Sequence, residues 1–277
     1  MGEIAIAATL SHAPGITGFR DLAGEDAVRY YDGMARLRKA FEDARPDVIL
    51  EIYDDHFTNF YVDNMPAICV GVGASHFGPV EEESFLKIPK SNVSGYPDLG
   101  WSVVRSGFDA GFDLAISHKL LLDHGAMVPL HLIAPQTPVV PIIVNTVIEP
   151  MPSPARVYAF GRLIRNVIAA RPKAERTGLV GTGGLSHWVG TPEMGRIDRK
   201  FDEWFLEAAA KGRGEELATL TPEELGMHGN GAHELRNWIA VYGAIGDVKG
   251  EVVAYEAPLS WYCGCGAVLY PMQNPPL

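Results

Sequence analysis

The chain has 277 residues, 47% of them hydrophobic, and its 34 acidic against 23 basic residues give a formal net charge of -11. A chain of this length buries a sizeable core, and without a basic stretch its composition is not that of a nucleic-acid-binding protein. No apolar run approaches the roughly 18 to 20 residues needed to span a bilayer, and Glu3 stands where a signal peptide would carry positive charge. We therefore expect a cytoplasmic protein that binds neither nucleic acid nor membrane.

Short apolar runs alternate with longer segments whose apolar positions recur at helical spacing. In chain order, the predicted elements are strand Ile4–Ala8, helix Glu25–Ala44, strand Val48–Ile52, strand Ile68–Gly73, helix Leu99–Ala110, strand Leu114–Ser117, strand Val139–Asn145, helix Ala155–Ala170, strand Gly178–Gly181, helix Met194–Ala210, helix Ala232–Ile245 and strand Val252–Tyr255. Strands that alternate with helices predict an α/β fold with a central, mostly parallel or mixed sheet flanked by helices. We expect one domain over residues 1–277.

The three cysteines are Cys69, Cys263 and Cys265. Their number and irregular spacing do not fit a disulfide framework, so we interpret them as reduced thiols. A structural zinc site is disfavoured because it usually requires four ligands with C-x-x-C-like spacing.

Four of the nine histidines follow apolar runs, near the points where strands would end. They are His12, His56, His124 and His187. In open α/β sheets, ligands bind outside the carboxyl ends of the strands, so four such histidines predict a metal or acid–base site. The alternative for each one taken alone is a surface or capped residue.

A carboxylate is needed to complete a non-haem iron site. Two neutral imidazoles and one carboxylate form a facial triad that leaves positions open for substrate and O2. Glu234, in G-N-G-A-H-E-L-R-N-W, opens the last helix after a Gly-rich turn, where it would also make a favourable contact with the helix dipole. Asp54, Asp55 and Asp123 precede histidines and would either orient imidazoles or form turns.

Other catalytic motifs fail at single positions. His76 and Ser186 replace the third glycine of G-x-G-x-x-G, and Trp188 replaces the last glycine of the hydrolase elbow G-x-S-x-G. A dinucleotide-binding protein and a hydrolase are therefore weaker interpretations.

Six short motifs, in this order, carry a resemblance that runs through nearly the whole chain. They are S-H-A-P at 11–14, Y-D-D-H at 53–56, M-P-A-I-C-V-G-V-G-A at 65–74, D-H-G at 123–125, G-T-G-G-L-S-H at 181–187 and H-E-L-R-N-W at 233–238. In them the chain resembles the catalytic subunits of class III extradiol dioxygenases, a family that includes the protocatechuate 4,5-dioxygenase β subunit and the 2,3-dihydroxyphenylpropionate 1,2-dioxygenases.

The resemblance implies a role for each candidate residue. His12, His56 and Glu234 would bind Fe(II), His187 would be the catalytic acid–base, and His124 would assist near substrate and O2. The implied reaction is ring opening of a catecholic substrate, protocatechuate-, gallate- or methylgallate-like, by O2. An aminophenol dioxygenase of the same fold and a non-catalytic partner subunit are the alternatives.

The sequence departs from the family pattern in two places. The region after His187 is much shorter than in the dihydroxyphenylpropionate enzymes, because it lacks a long insert before Glu234. The segment Leu259–Val268, with its C-G-C-G run, differs from the usual protocatechuate sequence and is predicted to shape the pocket. We also expect no fused helical lid domain of the kind that gallate dioxygenases carry. We therefore expect a homo-oligomer, or a complex with a separate small α-type lid subunit.

Overall fold

The computed structural model describes residues 1–172 and 175–272, which form ten strands and ten helices within those ranges. The strands are β1 Glu3–Leu10, β2 Val48–Tyr53, β3 Ile68–Gly71, β4 Ser75–Gly78, β5 Ser91–Ser94, β6 Ala115–Ser117, β7 Val139–Val144, β8 Arg176–Thr182, β9 Glu251–Glu256 and β10 Cys265–Tyr270. The helices are α1 Gly15–Gly18, α2 Gly24–Ala44, α3 Glu83–Leu86, α4 Pro97–Asp109, α5 His124–Ile133, α6 Pro154–Ala170, α7 Arg199–Ala210, α8 Gly214–Leu217, α9 Pro222–Gly226 and α10 Leu235–Ile245. Among the described helices, none is both long and apolar enough to cross a bilayer.

Eight strands form one mixed sheet in the order β6-β3-β7-β2-β8-β1-β10-β9, and β4 pairs with β5 in a separate hairpin. The centre is parallel, since β2 pairs with β7 and β8, and β8 pairs with β1. The antiparallel pairs are β3 with β7, β1 with β10 and β10 with β9, whereas the edge strand β6 pairs parallel with β3. The predicted α/β class with a mixed sheet is therefore confirmed, and the carboxyl ends of β1, β2, β7 and β8 lie along one edge.

Helices cover both faces of the sheet, which is why its central strands are mostly apolar. Every residue of β2 is buried, and alternate side chains enter different clusters: Leu50 and Ile52 pack with α4, α6, α7 and α10, whereas Ile49 and Tyr53 pack with α2 and α5. The core thus has two layers separated by the sheet.

Helices α6 and α10 pack against each other at backbone distance. Ser153 caps α6 by accepting from Arg156 N at 3.2 Å, and Pro154 occupies the first helical turn. A Cβ on Gly161 would lie 1.9 Å from Ala240 O, so only glycine permits this approach. The close contact fixes α10, whose first turn points at the carboxyl edge of the sheet.

Element ends differ from the sequence prediction where local capping decides them. The helix predicted from Met194 begins only at Arg199, because the Asp198 side chain accepts from Phe201 N and starts the helix there. The helix predicted from Ala232 opens with a 3-10 turn, Asn230–Glu234. Strands β4, β5 and β10 and helix α5 were not predicted.

The central strand β2 also carries a buried carboxyl that has no partner. Glu51 is fully buried, and neither of its carboxyl oxygens has a hydrogen-bond partner among the described residues. Burial, and to a smaller extent the charge of Asp123, raises the pKa of Glu51 well above its usual value. An acid with a raised folded-state pKa binds its proton more tightly when folded, so it costs stability as pH rises from its unfolded to its folded pKa.

Replacing this carboxyl is predicted to stabilise the protein. Glu51→Met should raise the free energy of unfolding at neutral pH by about 1–3 kcal/mol, because an unsatisfied buried polar group is removed at similar volume. The gain should be smaller near pH 5 than near pH 8, measured by urea unfolding. Glu25→Met, at a side chain that is 96% exposed, is the control and should change stability by less than about 0.5 kcal/mol. An unchanged or lower free energy of unfolding in Glu51→Met would contradict the prediction.

Candidate metal centre

The four strand-end histidines come together at the carboxyl edge of the sheet. His12 follows β1, His56 follows β2, and His124 begins α5. The ring centroids of His12 and His56 lie 5.1 Å apart, those of His12 and His124 5.6 Å, and those of His56 and His124 4.0 Å. His187 follows β8 and reaches the same place, with its Nε2 3.3 Å from Glu234 Oε1.

Glu234 stands among these histidines and does not cap α10. Its Oε2 lies 3.1 Å from His12 Nε2 and accepts from Gly184 N at 2.5 Å, and its Oε1 lies 4.0 Å from His56 Nε2. No side-chain cap bond is made at the start of α10. Of the two interpretations left open by the sequence, the structure therefore favours the site carboxylate over the helix-dipole contact.

Asp54 adds a second carboxylate that sequence reasoning had left as an orienting or turn residue. Its Oδ2 lies 3.3 Å from His56 Nε2, and its Oδ1 lies 4.0 Å from His12 Nε2. One set of potential ligand atoms within 4.8 Å of one another comprises His12, Asp54, His56 and Glu234, and a second comprises His12, His56 and His124. The Y-D-D-H motif contained the signal, but not which of its two aspartates faces the histidines.

The hydrogen bonds of His12 and His56 fix which ring nitrogen faces the centre. Thr182 Oγ1 donates its hydroxyl proton to Gly125 O at 2.8 Å. It must therefore accept a hydrogen bond from His12 Nδ1, at 3.0 Å. Asp123 Oδ2 accepts from the backbone N of His56 at 2.8 Å and lies 3.3 Å from its Nδ1. Both rings therefore carry the proton on Nδ1 and turn Nε2 inward, as metal-binding histidines do.

The same arrangement holds the other two histidines. Glu81 Oε1 accepts from the backbone N of His124 at 2.8 Å and lies 2.7 Å from its Nδ1. Leu185 O, which can only accept, lies 2.9 Å from His187 Nδ1. Sequence reasoning missed Glu81, because nothing in G-P-V-E-E-E distinguishes one glutamate from its neighbours.

Charges at the centre act strongly on one another because the groups are buried. Burial opposes charge on His56, but the Asp54 and Asp123 carboxylates outweigh it and raise the pKa of His56 to about 10. Burial and then Glu234 raise the pKa of Asp54 to about 6. Burial would raise the pKa of Glu234, but His187 and His12 hold it well below its usual value. A cation entering this cluster would therefore displace protons from the imidazoles.

His187 has its own electrostatic setting. Burial disfavours its charged form, whereas Cys263 and Glu234 favour that form and raise the pKa of His187 well above its usual value. A Cβ on Gly231 would lie 2.1 Å from His187 Nε2, so the ring packs directly on the turn that carries Glu234. The preceding Ser186 N donates to the buried Asp202 at 2.7 Å, which ties this segment to α7.

Helix α10 is fastened to the strand ends by two side chains. Asn237 Nδ2 donates to Asp54 Oδ1 and to Thr182 O, both at 2.9 Å. Trp238 Nε1 donates to Gly183 O at 3.2 Å. These bonds join α10 to the ends of β2 and β8 and thereby set the position of Glu234 relative to His12 and His56.

A cavity of about 610 Å³ opens from this cluster. Its lining includes the four histidines and Glu234, and also Ser260, Trp261, Tyr262 and Cys263 from the segment that the sequence predicted to shape the pocket. His233 lines it too, and burial, followed by the charge of Arg236, lowers the pKa of His233 to about 4. The volume lies in the range of sites that enclose small organic molecules.

The donor set fits a divalent transition metal. Imidazole nitrogens and carboxylate oxygens surround one point, and Asp54 Oδ2 is buried there without a hydrogen-bond partner among the described residues. Two histidines and a carboxylate that leave further positions open are typical of non-haem iron oxygenases. The fold and this centre together define a metal-dependent oxygenase class.

The particular family follows from comparison with known proteins. The family model described as "Catalytic LigB subunit of aromatic ring-opening dioxygenase" matches residues 6–270. The chain belongs to this family and is an aromatic ring-opening dioxygenase, which confirms the resemblance seen in the sequence motifs.

Two relatives agree with this assignment, and a solved structure shares the fold. The chain is 28% identical to a 2,3-dihydroxyphenylpropionate/2,3-dihydroxicinnamic acid 1,2-dioxygenase of Rhodococcus globerulus, over 81% of this chain and 86% of that protein. It is 26% identical to the protein of the same name from Escherichia coli O139:H28, over 96% of this chain and 98% of that one. An uncharacterized protein of Escherichia coli K12 has the same fold in its crystal structure, with a TM-score of 0.58, 15% identity, and coverage of 96% of this chain and 99% of that one.

Substitution of Glu81 tests whether His124 must be held in its orientation for turnover. Glu81→Ala should lower kcat about 10–100-fold, because the ring loses the acceptor that fixes its Nδ1 proton and orientation. Glu81→Gln keeps an acceptor oxygen and should retain most of the activity. Glu82→Ala, at a neighbouring side chain that is 81% exposed, is the matched control. Normal turnover in Glu81→Ala would show that His124 needs no such support.

Proposed function

We propose that this chain is a single catalytic domain that binds Fe(II) through His12, His56 and Glu234 and opens the ring of a catechol in the extradiol manner. The observation that supports it most is the common direction of the imidazoles: their Nδ1 atoms are bonded outward, while the Nε2 atoms of His12, His56 and His187 lie within 4.0 Å of Glu234. Bound Fe(II) would supply a site at which a diol and O2 are held together and electron density passes between them.

The protein's own residues would handle the protons. A diol must lose a proton to chelate a metal, and His187 Nε2 faces the centre while Leu185 O holds Nδ1. His187 would accept that proton and return it to the product, a role suited to a positioned imidazole. His124, oriented by Glu81, would assist on the neighbouring side.

The substrate class follows the relatives. Both relatives are named for 2,3-dihydroxyphenylpropionate, which favours a catechol whose substituent lies next to the diol over a protocatechuate-, gallate- or methylgallate-like one. An aminophenol would use the same centre and remains the alternative substrate. The complete donor set disfavours a non-catalytic partner subunit. A homo-oligomer, a small lid subunit and a cytoplasmic location stay predictions.

The ligand assignment predicts iron content. The wild-type protein, purified without oxygen, should hold about one Fe(II) per chain, and His56→Ala should lose most of it because one of three protein ligands is gone. His118→Ala, at an exposed histidine, is the control. Iron determination should be repeated on Asp54→Asn, which would lose iron in the same way only if Asp54 were a ligand. Stoichiometric iron in His56→Ala would overturn the assignment.

The proton-transfer role predicts a different pattern for His187. His187→Asn should keep its iron and bind the diol, while turnover falls by roughly 10²–10⁴-fold. Iron content, anaerobic diol binding and steady-state rates separate these effects. Loss of iron in His187→Asn would show that His187 is a metal ligand. Near wild-type turnover would show that His187 does not transfer the proton, and His124 would become the candidate for that role.

A further inference from the structure

The mouth of the cavity is formed by large apolar side chains that are exposed to solvent. Phe57, Phe85, Val147, Val189, Met194 and Tyr262 line it and are between 37% and 54% exposed. Two of them, Phe57 and Tyr262, have positive φ angles of 58° and 55°, a backbone conformation that is unfavourable for aromatic residues. An exposed apolar surface of this kind marks a site where an apolar group is received.

Two hydroxyl groups of the wall are neutral and lack partners in the described part of the chain. Thr146 Oγ1 and Ser260 Oγ are buried and have no hydrogen-bond partner among the described residues, and both residues line the cavity. They can bond a hydroxyl, ether or carbonyl oxygen of a ligand without any charge being involved.

The charged groups that line the cavity belong to the metal centre. Glu234 lines it, Asp54 lies directly behind, and the lining drawn from the described residues contains histidines but neither lysine nor arginine. Arg196 lies close, but its guanidinium stacks on the ring of Trp188 at 4.7 Å from the centroid. A carboxylate placed against the apolar wall would lose its hydration without gaining a cation, which is unfavourable.

The cavity is also large for a single ring. Its volume of about 610 Å³ lies well inside the range that encloses drug-sized molecules. With the diol held at the metal centre, the rest of the cavity is left for the ring substituent.

We propose that this cavity selects catechols whose ring substituent is bulky, apolar and uncharged, such as an alkyl chain or a second aromatic ring, over catechols that carry a carboxylate. The inference rests on the proposed diol-binding function of the centre. It differs from the acid substrates for which the relatives are named.

A matched pair of ligands tests it. The acid 3-(2,3-dihydroxyphenyl)propionate and its methyl ester differ in charge but keep the same diol. Trp188 and Trp261 line the cavity, so binding can be followed by tryptophan fluorescence on the Fe(II) protein without oxygen and on the metal-free protein. The ester should bind at least about tenfold more tightly and have a higher kcat/KM by a similar factor. 2,3-Dihydroxybiphenyl should bind more tightly than unsubstituted catechol.

Two variants and a control assign the preference to the mouth. Met194→Lys places a cation at the apolar rim. It should strengthen binding of the acid relative to the ester by about tenfold, as judged from the two Kd values. Val252→Lys, at a partly exposed residue of β9 outside the lining, should leave the ratio unchanged. Arg196→Ala should also leave it unchanged, because Arg196 is engaged with Trp188.

The outcomes separate this inference from the proposed function. If the wild type bound the acid as tightly as the ester or more tightly, the inference would be overturned, but the proposed cleavage of diols would not be affected. If that preference also vanished in Arg196→Ala, the cavity would be a carboxylate site served by Arg196. If the Fe(II) protein neither bound nor cleaved any of the four diols, the proposed function itself would fail, and this inference with it.

Discussion

The buried carboxylate of Glu234 is the constraint on which the rest of the centre depends. A carboxylate out of water is stable only if charge and hydrogen bonds replace its hydration. Here His12, His187 and the backbone N of Gly184 do so. These partners come from the ends of β1 and β8, so the parallel pairing of those two strands is a condition for burying Glu234 at all. A cation bound at the same point would take over part of this compensation.

Around that carboxylate, rigidity comes from contacts between helices and strands that form without a ligand. The close approach of α6 and α10 at Gly161, and the bonds of Asn237 to Asp54 and Thr182, set α10 before any ligand arrives. Polar groups that face the centre, by contrast, lack hydrogen-bond partners among the described residues, as Asp54 Oδ2 does. Such unsatisfied groups cost stability and are typical of sites prepared for a ligand.

The proposed selectivity and the proposed chemistry use different side chains. The residues proposed to bind metal and transfer protons follow β1, β2 and β8, begin α5 or precede α10, whereas the apolar mouth is formed by side chains such as Phe57, Val147, Val189 and Tyr262. A family can therefore keep one reaction and change its substrates by altering loops that a rigid scaffold displays.

The sequence by itself determined the α/β class, most strands of the sheet and the residues that converge, because apolar runs and the polar residues at their ends are local patterns. It did not determine β10, whose segment Cys265–Tyr270 has no helical or alternating signal and gains its strand pairing from β1 and β9. It also left open whether Glu234 caps a helix or serves the centre, and it gave no sign that Glu81 holds His124 across 43 residues of sequence. Those choices depend on contacts between distant segments, where burial and hydrogen-bond geometry fix the partner and local propensity has no influence.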